Sequence, residues 1–200
     1  MTRSEQKQLA IINAAKLEFI ENGFSAANMN NICTAAEVSK RTLYRHFESK
    51  ELLFEAVLTE VQESTIRITH YPFDAEHPLE EQLKAVTLRE AEVIYSTYGI
   101  ALSRTIVMEF FRQPELAKSM TQRLYRTRAV SNWFEQAIDA KMLVAEDVQT
   151  ITSVYTSIFQ GLLFWPQVLD LLPQPEGEEL EKKVAIIVST VLRAFAPEAN

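Results

Sequence analysis

The sequence predicts an all-α protein of about nine helices, with a small N-terminal three-helix domain over residues 1–48 and a larger helical domain over 49–200. Three observations carry that expectation. Only four of the 200 residues are glycine, and long helices exclude glycine whereas sheets and irregular folds use it at turns. Apolar residues recur at helical spacing along the chain, interrupted by turn signals. No segment reads as a strand.

The first helix is predicted over residues 4–21, with Ile11, Ile12, Ala15 and Phe19 on one face and Asn22-Gly23 ending it. Asn28 is placed to cap a short helix through Ala36, and Ser39 a second one through His46, each side-chain oxygen accepting an orphan backbone N–H. Ser49 opens a longer helix whose apolar stripe is Leu52, Leu53, Ala56, Val57 and Val61; this helix is expected to link the two domains. The Tyr71–Pro78 segment holds two prolines and interrupts the pattern. Helices then follow over 78–96, 99–112, 114–140 and 146–171, with Pro114 in a first turn where proline is favoured. Pro173, Pro175 and Gly177 form a loop before a last helix over 178–196.

Composition narrows the class. A single cysteine, Cys33, excludes an internal disulfide and a multi-cysteine zinc site, and fits a reducing compartment. The first ten residues hold no apolar run of a signal peptide, and no stretch reaches the roughly 20 apolar residues of a membrane span. A soluble cytoplasmic protein without membrane contact is therefore expected. The net charge is -7, yet residues 1–50 carry seven basic against five acidic groups, a surplus of +2, leaving -9 on the remainder. A basic head on an acidic body suits a head that faces phosphate.

The strongest local pattern lies between Asn28 and Phe47. Two short helices are separated by about three residues, with Ile32, Ala35, Val38 and Leu43 placed to pack them at a steep angle and small residues at Cys33 and Ala36. That is the helix-turn-helix arrangement, whose second helix enters the major groove of DNA. Lys40, Arg41, Thr42, Tyr44, Arg45 and His46 crowd that second helix with donors for phosphates and base edges. Phe47 reads as core. Cys33 reads as a packed small residue, and His70, Asp74, Glu76 and His77 as a solvated linker, not a metal site.

The run Ile11–Phe24, with its alanines, Phe19 and Gly23-Phe24, followed by Val38–Leu53 with Thr42-Leu43-Tyr44-Arg45-His46-Phe47, resembles the TetR/AcrR family of transcriptional regulators. The resemblance covers roughly residues 8–58; Tyr98–Leu172 is similar to the AefR-like type of C-terminal domain. It implies that Asn28 caps the second helix near a phosphate. Ser39 begins the recognition helix, where Lys40, Arg41 and Thr42 are expected to meet bases. Tyr44 and His46 would touch the DNA backbone, and Lys50 would pair with a phosphate at a helix N-terminus. Two positions depart from the family pattern. Glu37 stands at the turn position usually held by glycine and must adopt a left-handed conformation or alter the turn. Arg41 stands where the family commonly has a small residue, and can supply a bidentate guanine contact.

For the rest of the chain the resemblance implies a small-molecule effector held between helices. Tyr95, Tyr98, Phe110, Phe111, Trp133, Phe134, Tyr155, Phe159, Phe164 and Trp165 suit an apolar or aromatic compound. Phe110, Tyr155 and Phe159 are the first candidates for lining its site, with Arg104, Glu109 or Arg112 as a polar anchor; ordinary core or dimer packing is the alternative for each aromatic. The last two long helices have wider apolar surfaces than one core requires, so a homodimer through them is expected; the alternative makes both central helices of one core. The expected function is ligand-relieved repression at a palindromic operator on double-stranded DNA, with no cofactor and no metal. Catalysis is disfavoured, because three dispersed histidines and one cysteine form no nucleophile–base pair. A helical ligand carrier with a vestigial DNA-binding head is the alternative.

Overall fold

The computed structural model describes residues 2–68, 70–118 and 129–197. Those residues are helical or irregular, with no strand among them. They fall into two compact units, one drawn from Met1–Thr65 and Ala101–Gln122, the other from Ile66–Ile100 and Arg123–Asn200.

In the first unit α1 (Arg3–Ala26) opens with a reciprocal cap: Glu5 N donates to Thr2 Oγ1 at 3.2 Å, and Thr2 N to Glu5 Oε2 at 2.8 Å. Gly23 breaks the helical path at φ 70 and ψ 170, so the expected stop at Asn22-Gly23 is a kink followed by one more short turn. α2 (Met29–Ala35) and α3 (Lys40–His46) are each seven residues long and capped as expected by Asn28 and Ser39. α4 (Lys50–Ile68) begins with Leu52 N donating to Ser49 Oγ at 3.2 Å. Ile11, Ala15, Phe19, Ile32, Leu43, Leu53, Phe54 and Val57 are wholly buried. Phe54 meets Phe19 edge-on at 5.2 Å and Phe24 at 5.0 Å. Leu52, expected in the α4 stripe, is 46% exposed; Phe54 and Leu58 take the inner face instead.

α5 (Leu79–Glu92) runs into a π-helical segment, Val93–Tyr98, which ends where Gly99 adopts φ 69. α6 (Gly99–Arg112) follows, so the division between units falls within α4 and at the start of α6. In the first unit α6 is tied to α1, Thr105 Oγ1 donating to the Phe19 carbonyl at 3.2 Å. Helix resumes at 114–118; the rest of the predicted 114–140 helix lies partly outside the described residues and reappears as α7 (Ala129–Asp139).

The second unit is built on α5, α7, α8 (Val148–Leu163) and α10 (Gly177–Ala194). Leu83, Trp133, Phe134, Ala137, Ile151, Leu163, Val184, Ile187 and Val191 form its fully buried centre. The single helix expected over 146–171 is corrected to two. Phe164 leaves the helical path, and the four-residue α9 (Trp165–Val168) restarts with Pro166 in its first turn. Proline has no N–H to donate and its ring collides with the carbonyl four residues back, so it is tolerated only at a fresh start. This break raises the helical count above the nine expected: α1 to α10 are seen among the described residues, besides the stretch at 114–118.

Candidate nucleic-acid interface

The turn between α2 and α3 shows why the two helices cross. Val38 N donates to the Cys33 carbonyl at 3.0 Å and Glu37 N to the Thr34 carbonyl at 3.2 Å, while Glu37 adopts φ 52. This is a Schellman termination with the left-handed position, normally glycine, filled by glutamate. The left-handed alternative expected for Glu37 is the one the chain takes. Ile32 and Leu43, wholly buried, seat both helices on the unit's core, and Phe47 is 6% exposed, as core.

Ser39 then starts α3. Its Oγ accepts from Thr42 N at 3.2 Å and lies 3.0 Å from Thr42 Oγ1, which engages both hydroxyls. Lys40, Arg41, Tyr44 and Arg45 are exposed, and none has a hydrogen-bond or ion-pair partner among the described residues. Tyr44 leaves 47% of its surface in solvent. α3 thus presents three cations and a phenol on one seven-residue helix with no internal use for them. His46 differs: it is half-buried, and its Nε2 is covered without a partner, so that nitrogen is not a surface donor.

Asn28 is exposed, and its Oδ1 accepts from Asn30 N at 2.9 Å. Its own N–H donates to Glu18 Oε1 at 2.8 Å, and the same oxygen accepts from Asn31 Nδ2 at 3.2 Å. Glu18, 8% exposed, therefore does from α1 what the third residue of a capping box does from its own helix. Sequence reasoning missed it. The available signal was a carboxylate standing seven residues after Ile11 and three after Ala15, on the apolar face of α1.

Lys50 is half-buried and turned toward the protein. Its Nζ donates to the Ser25 carbonyl at 3.0 Å and the Ala27 carbonyl at 3.3 Å, and sits 4.9 Å from the centre of the Phe24 ring. Two of its three N–H groups serve the joint between α1 and α2.

The candidate effector residues are drawn from both units. Arg104, exposed, and Phe110, half-buried, lie on α6 in the first unit. Glu109 and Arg112, the alternative anchors, lie there too. Tyr155 and Phe159 lie in the second unit, 2% and 5% exposed, as part of a run of rings. Phe73 meets Trp133 at 5.8 Å, Trp133 meets Phe134 at 5.4 Å, Phe134 meets Tyr155 at 5.6 Å, and Tyr155 meets Phe159 at 6.0 Å. Hydroxyls edge that run: Tyr155 OH lies 3.3 Å from Thr87 Oγ1, Tyr71 OH donates to Glu90 Oε1 at 2.7 Å, and Tyr95 OH to the Leu163 carbonyl at 2.7 Å. Burial first, then the Glu90 charge, pushes the Tyr71 pKa well up, so this phenol stays protonated and donates. The Tyr71–Pro78 linker is closed by Asp74 Oδ2 and His77 Nδ1 at 2.7 Å, with no metal-ligand cluster among the described residues.

Residues 11–57 match the family described as "Bacterial regulatory proteins, tetR family", and residues 81–197 match "AefR-like transcriptional repressor, C-terminal domain". The HTH-type transcriptional regulator UidR of Escherichia coli K12 is 32% identical over 117 residues, covering 58% of this chain and 58% of UidR. The chain thus spans little more than half the length of this relative. Among solved structures, a TetR family regulator from Pseudomonas syringae superposes with a TM-score of 0.79 at 26% identity, covering 98% of this chain and 99% of the other. The "Flavonoid-responsive Regulator FrrA" superposes at 0.76 with 30% identity, covering 98% and 100%.

Proposed function

The chain belongs to the TetR family of bacterial regulatory proteins, and on that premise we propose that it is a cytoplasmic, homodimeric repressor released from a palindromic operator by a small aromatic molecule. The observation that carries the reading is the unpartnered surface of α3. Lys40, Arg41, Tyr44 and Arg45 all face solvent on a helix held rigidly by a cap at Ser39 and a Schellman turn before it. Arg41 is the candidate for bidentate reading of guanine; Lys40 and Thr42 stand beside it. Tyr44, Asn28 and one remaining N–H of Lys50 are assigned to phosphates, which fix register without reading sequence. His46 contributes less, with its Nε2 covered.

A homodimer supplies two such helices, and they fit successive major grooves when about 34–36 Å apart. We assign the dimer contact to α8 and α10. Ile186 on α10 is 52% exposed, and Val154, Ile158 and Leu162 on α8 are only half-buried. Effector release is a population shift: a ligand that binds the wrongly spaced dimer better lowers operator affinity by its differential affinity. α4 and α6 each run unbroken across the division between units and are the candidates for transmitting the change.

The effector class rests on two supports. The second unit holds the ring run from Phe73 to Phe159 edged by phenolic donors, and FrrA, similar over nearly the whole chain, is named for its response to flavonoids. A planar aromatic with hydroxyl groups suits both. Arg104 and Phe110, on α6, and Tyr155 and Phe159, on α8, remain the candidates for lining the site. The test is binding to the DNA flanking the protein's own gene, followed by titration with a panel of flavonoids and simple phenols. Specific binding weakened at least tenfold by Arg41→Ala and Tyr44→Ala, and reversed by a phenolic compound, is the expected result. Binding that neither variant alters would refute the assignment to α3.

A further inference from the structure

Two cations from outside the helix-turn-helix end on one residue of the first unit. Ser25 lies in the last turn of α1, past the Gly23 kink and three residues before the Asn28 cap. Its carbonyl accepts from Lys50 Nζ at 3.0 Å, and its hydroxyl from Arg112 Nη1. Lys50 opens α4 and Arg112 closes α6. Lys50 has no ion pair among the described residues, and that of Arg112 is long. The ion-pair partner of Arg112 among the described residues is Glu109 Oε2 at 3.9 Å, and Glu109 Oε1 already accepts from Gln113 Nε2 at 2.5 Å.

Arg112 keeps 56% of its side chain in solvent despite this bond. A guanidinium has five N–H groups in a fixed fork, matched to phosphate oxygens. The hydrogen bond to Ser25 holds the group in place and leaves most of its donors unused. A side chain anchored on the protein and more than half exposed, close to a second cation on the same residue, has donors to offer an anion.

We propose that Arg112 is a further phosphate contact in operator binding, supplied by α6 and acting with Lys50 on the DNA backbone beside the α1–α2 joint. This rests on the DNA-binding reading above and extends the interface beyond the helix-turn-helix. It also gives α6 a direct part in binding, since any movement of its last turn carries Arg112 with it.

A merely structural link between Arg112 and Ser25 is distinguished by salt. Each neutralised phosphate contributes about 0.9 to the slope of log affinity against log salt. Operator binding is measured over a salt series for the full-length protein, Arg112→Gln and Arg112→Lys, beside a random duplex of equal length. Arg112→Gln is expected to lower the slope by about 0.9 and to weaken both duplexes by a similar factor, on the order of tenfold at low salt. Arg112→Lys keeps the charge and is expected to keep most of the slope, with the folded state of each variant verified by its unfolding midpoint. Unchanged slope for Arg112→Gln, with or without weaker binding, overturns the phosphate contact. If the unaltered protein itself shows no salt-dependent specific binding, the DNA-binding reading fails instead.

Discussion

Replacing Glu37 by glycine tests the turn on which the α2–α3 geometry depends. Glu37 sits at φ 52, in the left-handed region, at the position where the Schellman bonds from Glu37 N and Val38 N require it. That conformation costs an L-residue about 1–2 kcal/mol, while glycine gives back roughly 0.5–1 kcal/mol through the extra freedom of its unfolded chain. The net expectation for Glu37→Gly is a gain of about 0.5–1 kcal/mol. For a chain of this length that raises the unfolding midpoint by about 1–4 °C. Removing a carboxylate beside the proposed recognition helix is also expected to tighten operator binding, so charge and strain must be separated. Glu37→Gln removes the charge and keeps the left-handed cost: it should tighten DNA binding without moving the midpoint. Calorimetry of the free protein and binding assays on the three forms give both readouts. If glutamine stabilises as much as glycine, or glycine lowers the midpoint, the strain argument is wrong.

Four other outcomes follow from the packing. Ser39→Ala removes the cap on α3 and is expected to cost about 1 kcal/mol, with operator affinity falling as the helix start loosens; denaturant titration and a binding isotherm read the two effects. Trp133→Ala empties the centre of the second unit, where the indole is wholly buried, and is expected to cost about 3–5 kcal/mol by thermal unfolding. Burial, with the Glu179 charge adding to it, pushes the Tyr95 pKa up to about 12. The folded protein then holds a proton that the unfolded chain releases near pH 10, so stability present below that pH is lost as pH rises toward about 12. Tyr95→Phe is expected to lose about 1 kcal/mol at neutral pH with its bond to Leu163 and to show a shallower alkaline decline, followed by unfolding midpoints across pH. Ile186→Glu places a charge on the assigned dimer face and is expected to shift sedimentation toward the monomer with helical content unchanged.

The local chemistry of chain reversal was legible in the sequence, because caps act through neighbours a few residues away. Asn28, Ser39 and Ser49 accept the N–H groups expected of them, and Glu37 takes the left-handed turn for want of glycine. What depended on distant partners was not legible. Glu18 is buried only because α2 brings Asn28 N and Asn31 Nδ2 to it. Lys50 turns toward Ser25 and Ala27 because the end of α1 returns over the start of α4. The π-helical segment at Val93–Tyr98 has no sequence signature beyond Gly99 at its end. Periodicity carried the 146–171 region as one helix, although Pro166 marked the restart. Aromatic content pointed to an effector site; the fold shows Phe73, Trp133, Phe134, Tyr155 and Phe159 in contact within one unit, contacts that the sequence could not foretell.

Selection of binding sites from random duplex DNA tests the regulator most directly, since it assumes no operator. The full-length protein is expected to enrich a palindrome whose half-site centres lie about one helical turn apart, and Tyr44→Ala is expected to lose that enrichment. Enrichment of no sequence, or of a single asymmetric site that Tyr44→Ala still selects, would contradict a dimer that reads DNA through α3.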